Sequence, residues 1–157
     1  MPPASERRSA LWFVAGQFGL LALLIVTPVA RSWPRPGWLV AGSYSVAAVG
    51  LAFAGLAALW LGRGLTALPL PNGRTVLRTS GPYRFVRHPI YSGLLLFAIT
   101  WSIGGASARR AGLAVAFAVL LDRKAAWEEH RLAARFPDYQ QYVSATGRFV
   151  PRLGART

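Results

Sequence analysis

The sequence predicts an all-α integral membrane protein with about four transmembrane helices, the last two of which form a helical hairpin. Hydrophobic residues make up 54% of the 157 residues and charged residues only 15%, against roughly 25% charged residues in an average soluble domain. Long uncharged segments alternate with short basic segments along the chain. Because so few polar residues cannot cover a soluble core, we expect one membrane domain over residues 1–157.

The first two predicted helices cover residues 9–30 and 37–62. Neither segment contains a charged residue, and each exceeds the roughly 20 residues that cross a bilayer. Arg7 and Arg8, which precede the first segment, would also suit a signal peptide. Its apolar run is longer than an ordinary signal core and residues 28–30 form a poor cleavage site, so we favour a retained helix.

The hairpin is predicted from residues 90–106 and 110–136. The first of these segments is uncharged throughout. In the second, the uncharged stretch 111–121 covers only about half of the hydrocarbon core at ~1.5 Å per residue. The fourth helix therefore crosses only if the charged ends of Arg123 and Lys124 snorkel towards the interface.

Basic residues are divided unevenly between the two sides of such a four-helix arrangement. Four of the 18 lie on one side, namely Arg31, Arg35, Arg109 and Arg110, and the other 14 lie on the opposite side. The positive side is normally cytoplasmic. We therefore expect a multi-pass protein of the cell inner membrane with both termini in the cytoplasm, together with two segments that would form a site, 74–93 and 122–151.

The net charge of +13 would suggest a nucleic-acid partner in a soluble protein. In a membrane protein the same residues set the orientation and contact anionic headgroups of the lipid bilayer. No nucleic-acid partner is then needed. The chain contains no cysteine, which removes thiol nucleophiles and thiolate metal sites from consideration.

The middle cytoplasmic loop ends in the sequence Arg87-His88-Pro89-Ile90-Tyr91-Ser92-Gly93. Pro89 suits the first turn of the following helix, where its missing N–H costs nothing. A simpler interpretation treats the basic loop as a headgroup contact and Tyr83 and Tyr91 as interfacial anchors. The two histidines of the chain have no carboxylate or thiol at a recognisable ligand spacing, so we predict no metal site.

The second polar segment begins near the end of the fourth helix with Glu128 and Glu129, two of only five acidic residues. A carboxylate beside the hydrocarbon boundary is costly unless it is paired. Lys124 lies one turn before Glu128, so one interpretation is a surface ion pair worth roughly a few tenths of a kcal/mol. The functional interpretation is that Glu128 binds the ammonium of a ligand, while Glu129 points about 100° away around the helix and matters less.

Together these motifs resemble the isoprenylcysteine carboxyl methyltransferase family, within the wider phospholipid methyltransferase-like group of membrane methyltransferases. The resemblance covers residues 75–151. It rests on the 87–93 element and, after a helical hairpin, on Glu128-Glu129, Leu132, Phe136, Tyr139, Tyr142 and Arg148-Phe149-Val150-Pro151. It implies a membrane enzyme that uses S-adenosylmethionine without a Rossmann domain, and the sequence has no glycine-rich strand-to-helix fingerprint.

The resemblance also implies which residues form the site. The cofactor pocket would include Thr75, Val76, Leu77, Arg78, Tyr83, His88, Pro89, Ile90 and Tyr91, with Glu128 on the methionyl ammonium. Lys124 stands where the family has an arginine that contacts the substrate carboxylate, and it keeps the charge but not the planar fork. Arg87 or Arg78 would pair with the methionyl carboxylate, since a buried carboxylate needs donors. Lys124 and Arg87 are therefore our candidates for the catalytic centre.

These features favour an S-adenosylmethionine-dependent methyltransferase whose lipophilic or lipid-attached acceptor enters from the membrane, most like isoprenylcysteine carboxyl O-methylation. One alternative is a phospholipid or small-molecule N- or S-methyltransferase with the same cofactor site. A nicotinamide-dependent membrane reductase of the related sterol-reductase group is a second, against which the small size and the paired glutamates argue. A non-catalytic membrane subunit with the same fold is the third.

Overall fold

The computed structural model describes residues 4–62 and 77–152, and its long elements are all helices. They are α1 (Ala4–Val26), α2 (Gly37–Leu61), α3 (Pro89–Gly104), α4 (Ala108–Arg135) and the short α5 (Tyr139–Ala145). A 3-10 turn spans Gly81–Arg84. The predicted all-α class is therefore confirmed for the described residues.

The helix boundaries follow local sequence chemistry. α1 begins before the predicted residue 9, with Glu6 in its first turn, where a carboxylate complements the positive end of the helix dipole. It ends at Val26 rather than at residue 30, because Pro28 disfavours helical geometry in the residue before it. Pro89 is the first residue of α3, as predicted. The tail after Pro137 re-forms a helix, α5, which the sequence did not predict.

Among the described residues, two helices are long and apolar enough to cross a membrane, α1 and α2. Their mean hydropathies reach 2.0 and 1.9, while only 17% and 22% of the residues in those stretches are buried in the protein. Large apolar side chains such as Trp12, Trp38 and Leu59 are at least three-quarters exposed. Helices with such an apolar exposed surface are stable in lipid rather than in water, which indicates a membrane protein.

The long helices pack in the spatial order α2, α3, α4, α1, and the contact between α2 and α3 is the most extensive. The core between them contains Leu24 of α1, Ala47 of α2, Phe97 of α3, and Phe117 and Leu121 of α4. The sequential neighbours α3 and α4 form the predicted hairpin through a linker of only three residues, 105–107.

At one end of the bundle, the linker between α1 and α2 is hydrogen-bonded to the linker between α3 and α4. The amides of Ala30 and Ser32 donate to the carbonyls of Gly105 and Ala106 at 3.0 and 2.9 Å. The Arg110 side chain is 4% exposed and its Nε donates to the Thr27 carbonyl at 2.8 Å. These bonds fix α1 relative to the α3–α4 hairpin at the end remote from the polar motifs.

The α2–α3 contact depends on small residues that let the two backbones approach closely. A Cβ added to Gly50 would lie 2.7 Å from the Gly93 carbonyl oxygen, and one added to Gly93 would overlap the Gly50 carbonyl oxygen. Each glycine therefore lies against the backbone of the partner helix, which cannot yield as a side chain can.

We expect Gly93→Ala to destabilise the protein by about 1–3 kcal/mol, the usual cost of overpacking. Gly55→Ala on α2 is the matched control, since nothing lies near its added Cβ and alanine favours a helix over glycine by about 1 kcal/mol. Thermal unfolding in detergent should place Gly93→Ala below the wild type and Gly55→Ala at or above it. Equal shifts for the two variants would contradict close backbone contact at Gly93.

Candidate active site

The segment before α3 is anchored to the end of α2. Gly81 has a φ of +61°, a conformation that favours glycine, and any Cβ there would overlap the Trp60 indole. Two residues later, the Tyr83 hydroxyl donates to the Ala57 carbonyl at 3.4 Å. The turn therefore holds the loop against α2 and directs the following residues to the start of α3.

The C-terminal tail closes over the start of α3 as a short strap, residues 146–149. The Arg87 and His88 amides donate to the Gly147 and Arg148 carbonyls at 2.9 and 3.1 Å. The Ser92 hydroxyl donates to the Phe149 carbonyl at 2.7 Å. This pairing brings the Arg148 side chain beside the first turn of α3, although the two lie far apart in sequence.

Glu129 lies at the centre of the resulting charge cluster. Its Oε1 accepts from Arg87 Nε at 2.9 Å and from Arg148 Nε at 3.2 Å, while Oε2 accepts from Arg148 Nη2 at 2.7 Å. His88 Nε2 lies 3.2 Å from the same Oε1. The side chains of Glu129 and Arg87 are only 13% and 10% exposed. The spacing of Glu129 on α4 did not predict these partners, and that Glu129 matters less than Glu128 for binding a ligand stays a prediction.

Glu128 faces the same end of α3 but has fewer partners. The Tyr91 hydroxyl donates to Glu128 Oε1 at 2.6 Å, and His88 Nδ1 lies 3.6 Å from Oε2. The His88 and Tyr91 rings stack at 5.3 Å with an interplanar angle of 2°. Within the described part of the chain, Oε2 accepts no hydrogen bond, so this carboxylate retains acceptor capacity that Glu129 has used.

Lys124 is not the surface partner of Glu128 that its spacing suggested. It is 5% exposed, and its ammonium donates to Gln17 Oε1 of α1 at 2.6 Å. It does not snorkel to the interface either, whereas the neighbouring Arg123 is exposed. Both expectations are wrong because α1 packs on this face of α4 and offers an acceptor inside the bundle.

The remaining predicted site residues are distributed differently. Pro89 and Tyr83 are buried, Leu77 and Ile90 are half-buried, and Arg78 is exposed. Arg87, proposed for a ligand carboxylate, already donates to Glu129 and to the carbonyls of Val143 and Thr146. Thr75 and Val76 lie outside the described residues. The assignment of these side chains to a cofactor stays a prediction.

An open cavity of about 520 Å³ lies beside α5, lined by Leu77, Thr79, Phe136, Pro137, Asp138, Gln141, Tyr142 and Ala145. The Tyr142 hydroxyl donates to the Tyr83 carbonyl at 2.5 Å. Burial raises the pKa of Tyr142 to about 12, so this hydroxyl stays protonated at neutral pH and remains a donor. This hydrogen bond thus joins α5, which lines the cavity, to the loop that leads to α3.

Comparison with known proteins identifies two relatives along nearly the whole chain. It is 30% identical over 154 residues to the nickel-cobalt-cadmium resistance protein NccN of Alcaligenes xylosoxydans xylosoxydans, covering 95% of this chain and 67% of that protein. It is 32% identical over 155 residues to the cobalt-zinc-cadmium resistance protein CzcN of Cupriavidus metallidurans, covering 95% and 66%. The chain thus spans about two thirds of each relative. No protein-family model matches it.

The Glu129 cluster leads to a stability prediction. Glu129→Gln keeps the shape but leaves Arg87 without its carboxylate, and losing one partner of a buried ion pair costs about 3–5 kcal/mol. Because Arg148 is 32% exposed and can be rehydrated, we expect the lower end of that range. Denaturant titration in mild detergent, followed by tryptophan fluorescence, measures the difference.

The matched control is Asp122→Asn, which removes the other carboxylate bound by Arg148. Asp122 is 51% exposed, and exposed ion pairs contribute about 0–1 kcal/mol. Stabilities that fall equally in the two variants would contradict a structural role specific to Glu129.

Proposed function

We propose that this protein catalyses S-adenosylmethionine-dependent methyl transfer to a lipophilic acceptor. The chain belongs to the same family as the nickel-cobalt-cadmium resistance protein NccN. That name states a resistance and not a reaction. The observation that most supports this proposal is the convergence of the Arg87–Tyr91 segment with Glu128-Glu129. The Tyr91–Glu128 hydrogen bond joins the two segments directly. These are the motifs on which the resemblance to isoprenylcysteine carboxyl methyltransferases rests.

The residues present suit this cofactor. Glu128 is mostly buried, with a side chain 17% exposed, and has one oxygen that accepts nothing within the described residues. A buried carboxylate with unused acceptor capacity favours a cationic partner, such as the methionyl ammonium. Leu77, predicted for the cofactor pocket, lines the cavity of about 520 Å³ beside α5, whereas Glu128, His88 and Tyr91 do not line it.

S-adenosylmethionine, when bound, supplies a methyl group activated by its sulfonium charge. The protein then has to position the reactants and exclude water. Glu128 binds the ammonium, and Tyr91 fixes the Glu128 carboxylate by hydrogen bonding. Glu129 holds Arg87, His88 and Arg148 around that pair. A carboxylate or thiolate acceptor needs no general base, so we assign His88 to the pocket wall.

We further propose four membrane crossings, with α3 and α4 joining α1 and α2. α4 can cross without snorkelling by Lys124, because this ammonium donates to Gln17 Oε1 of α1 inside the bundle. The polar cluster lies at the end of the bundle that carries the basic excess, so the site and both termini are placed in the cytoplasm. The tied linkers at the other end then face the opposite side of the inner membrane. A lipophilic acceptor would reach the site from the bilayer.

Reporter fusions test this topology. A fusion after residue 152 should report the cytoplasm, and one between Arg31 and Arg35 should report the opposite side. Reversed or identical compartments would contradict the proposed orientation.

Glu128→Gln should weaken S-adenosylmethionine binding by at least about a hundredfold, because it removes the charge facing the ammonium and a lost buried charge pair costs about 3–5 kcal/mol. Calorimetric titration of the detergent-purified chain measures this directly. Glu6→Gln is the control, since Glu6 pairs with Arg131 alone among the described residues, at 3.4 Å, and the affinity of this variant should equal that of the wild type.

The alternatives give different outcomes in the same titration. Binding of a nicotinamide cofactor instead would favour the reductase. Binding of neither cofactor would favour a non-catalytic subunit. Unchanged affinity in Glu128→Gln would mean that another group binds the ammonium.

The names of the relatives support a contribution to metal resistance, and we propose that methyl transfer serves it. Expression in a metal-sensitive host should then raise tolerance to nickel, cobalt and cadmium salts, and Glu128→Gln should abolish the gain. Growth yields measured across metal concentrations, at matched protein levels, provide the readout. If the wild type and Glu128→Gln protect the host equally, metal resistance does not depend on the proposed cofactor site.

A further inference from the structure

Gln17 is the single polar side chain in the apolar part of α1 between Ala10 and Val26. Within the described helix it belongs to the buried set Ala10, Gln17 and Leu24, whose seven-residue spacing places all three on one face. That face packs against α4, where a Cβ on the adjacent Gly16 would lie 2.8 Å from Leu120 Cδ1. An amide buried there is costly unless it is hydrogen-bonded.

Its partner, Lys124, is the single lysine of the chain, since all other basic residues are arginines. Besides donating to Gln17, the Lys124 ammonium lies 5.2 Å from the centre of the Tyr91 ring. Tyr91 in turn binds Glu128. A continuous set of contacts therefore runs from the middle of α1 to the candidate cofactor carboxylate.

The Gln17 amide holds this ammonium without neutralising it. In the described ranges, every ion pair of a carboxylate is formed with an arginine or a histidine. An ammonium has three N–H donors, and one of them is used by Gln17. The pair thus keeps a positive charge and free donors inside the bundle, beside the Tyr91 ring.

We propose that Gln17 is a positioning residue, through which α1 holds Lys124 ready to bind the anionic group of a lipophilic acceptor. The inference rests on the proposed function only in taking this ligand to be the methyl acceptor. Without Gln17, the flexible lysine stem could extend towards the headgroups. With a carboxylate in its place, the charge would be neutralised. A neutral hydrogen-bond acceptor such as the Gln17 amide keeps the Lys124 ammonium inside the bundle and also leaves its charge in place.

Because Lys124 is the only lysine, amine-reactive labelling followed by peptide mass spectrometry reports on it alone among side chains. The full-length protein in detergent is labelled with and without dodecanoate, an anionic amphiphile, or dodecanamide, its neutral counterpart. We expect dodecanoate to protect wild-type Lys124 and dodecanamide not to. Gln17→Leu should label roughly tenfold faster or more and lose the protection, as expected when a hydrogen bond to a charged group is removed.

Gln17→Glu separates positioning from a purely structural role. It keeps the hydrogen bond, so basal labelling should stay as slow as in the wild type, but it neutralises the ammonium, so dodecanoate should no longer protect. Ser9→Ala, also on α1, should behave as the wild type, since the exposed Ser9 hydroxyl donates to the Ser5 carbonyl of its own helix. Protection by dodecanoate that persists in both Gln17 variants would overturn the inference.

Titration with S-adenosylmethionine runs in parallel on each variant. Wild-type affinity in both Gln17 variants, together with lost protection, supports the inference. Absence of cofactor binding in the wild type would overturn the proposed function while leaving the anion-binding result to stand on its own.

Discussion

The geometry of the candidate site depends on the Glu129 carboxylate. It joins three parts of the chain that no local pattern connects, because Arg87 and His88 come from the start of α3, Arg148 from the strap and Glu129 itself from α4. The surrounding basic residues provide charge compensation for a carboxylate that is largely removed from water. Once this cluster forms, the strap must lie beside residues 86–88, and the start of α3 is held to the second half of α4.

This arrangement gives the two adjacent glutamates different tasks. Glu129 has both oxygens occupied by the protein and serves the structure, whereas Glu128 is oriented by Tyr91 and retains acceptor capacity. The Lys124 ammonium lies over the Tyr91 ring, 5.2 Å from its centre, while Glu128 binds the Tyr91 hydroxyl. A negative group and a positive group thus flank one aromatic ring, an arrangement suited to a cationic cofactor and an anionic acceptor held next to each other.

The sequence predicted the helices well because long uncharged runs and the proline at residue 89 are local signals. It could not predict the contacts that wrap around helices. Helical periodicity separates Glu129 from Glu128 by about 100°, but it carries no information about a strap that arrives from the tail and binds Glu129. Likewise, Lys124 and Gln17 are 107 residues apart, and only the packing of α1 on α4 brings them together. The isolated Gln17 in an apolar helix was the one available signal of a buried partner.

The central claim is that Glu128 recognises the ammonium of S-adenosylmethionine. The most direct test changes the ligand and leaves the protein intact, by titrating the purified chain with S-adenosylmethionine and with an analogue that lacks only the α-amino group. We expect saturable binding of the cofactor and at least about a hundredfold weaker binding of the analogue, the change that an unpaired buried carboxylate produces. Equal affinities, or no binding of either ligand, would contradict this claim.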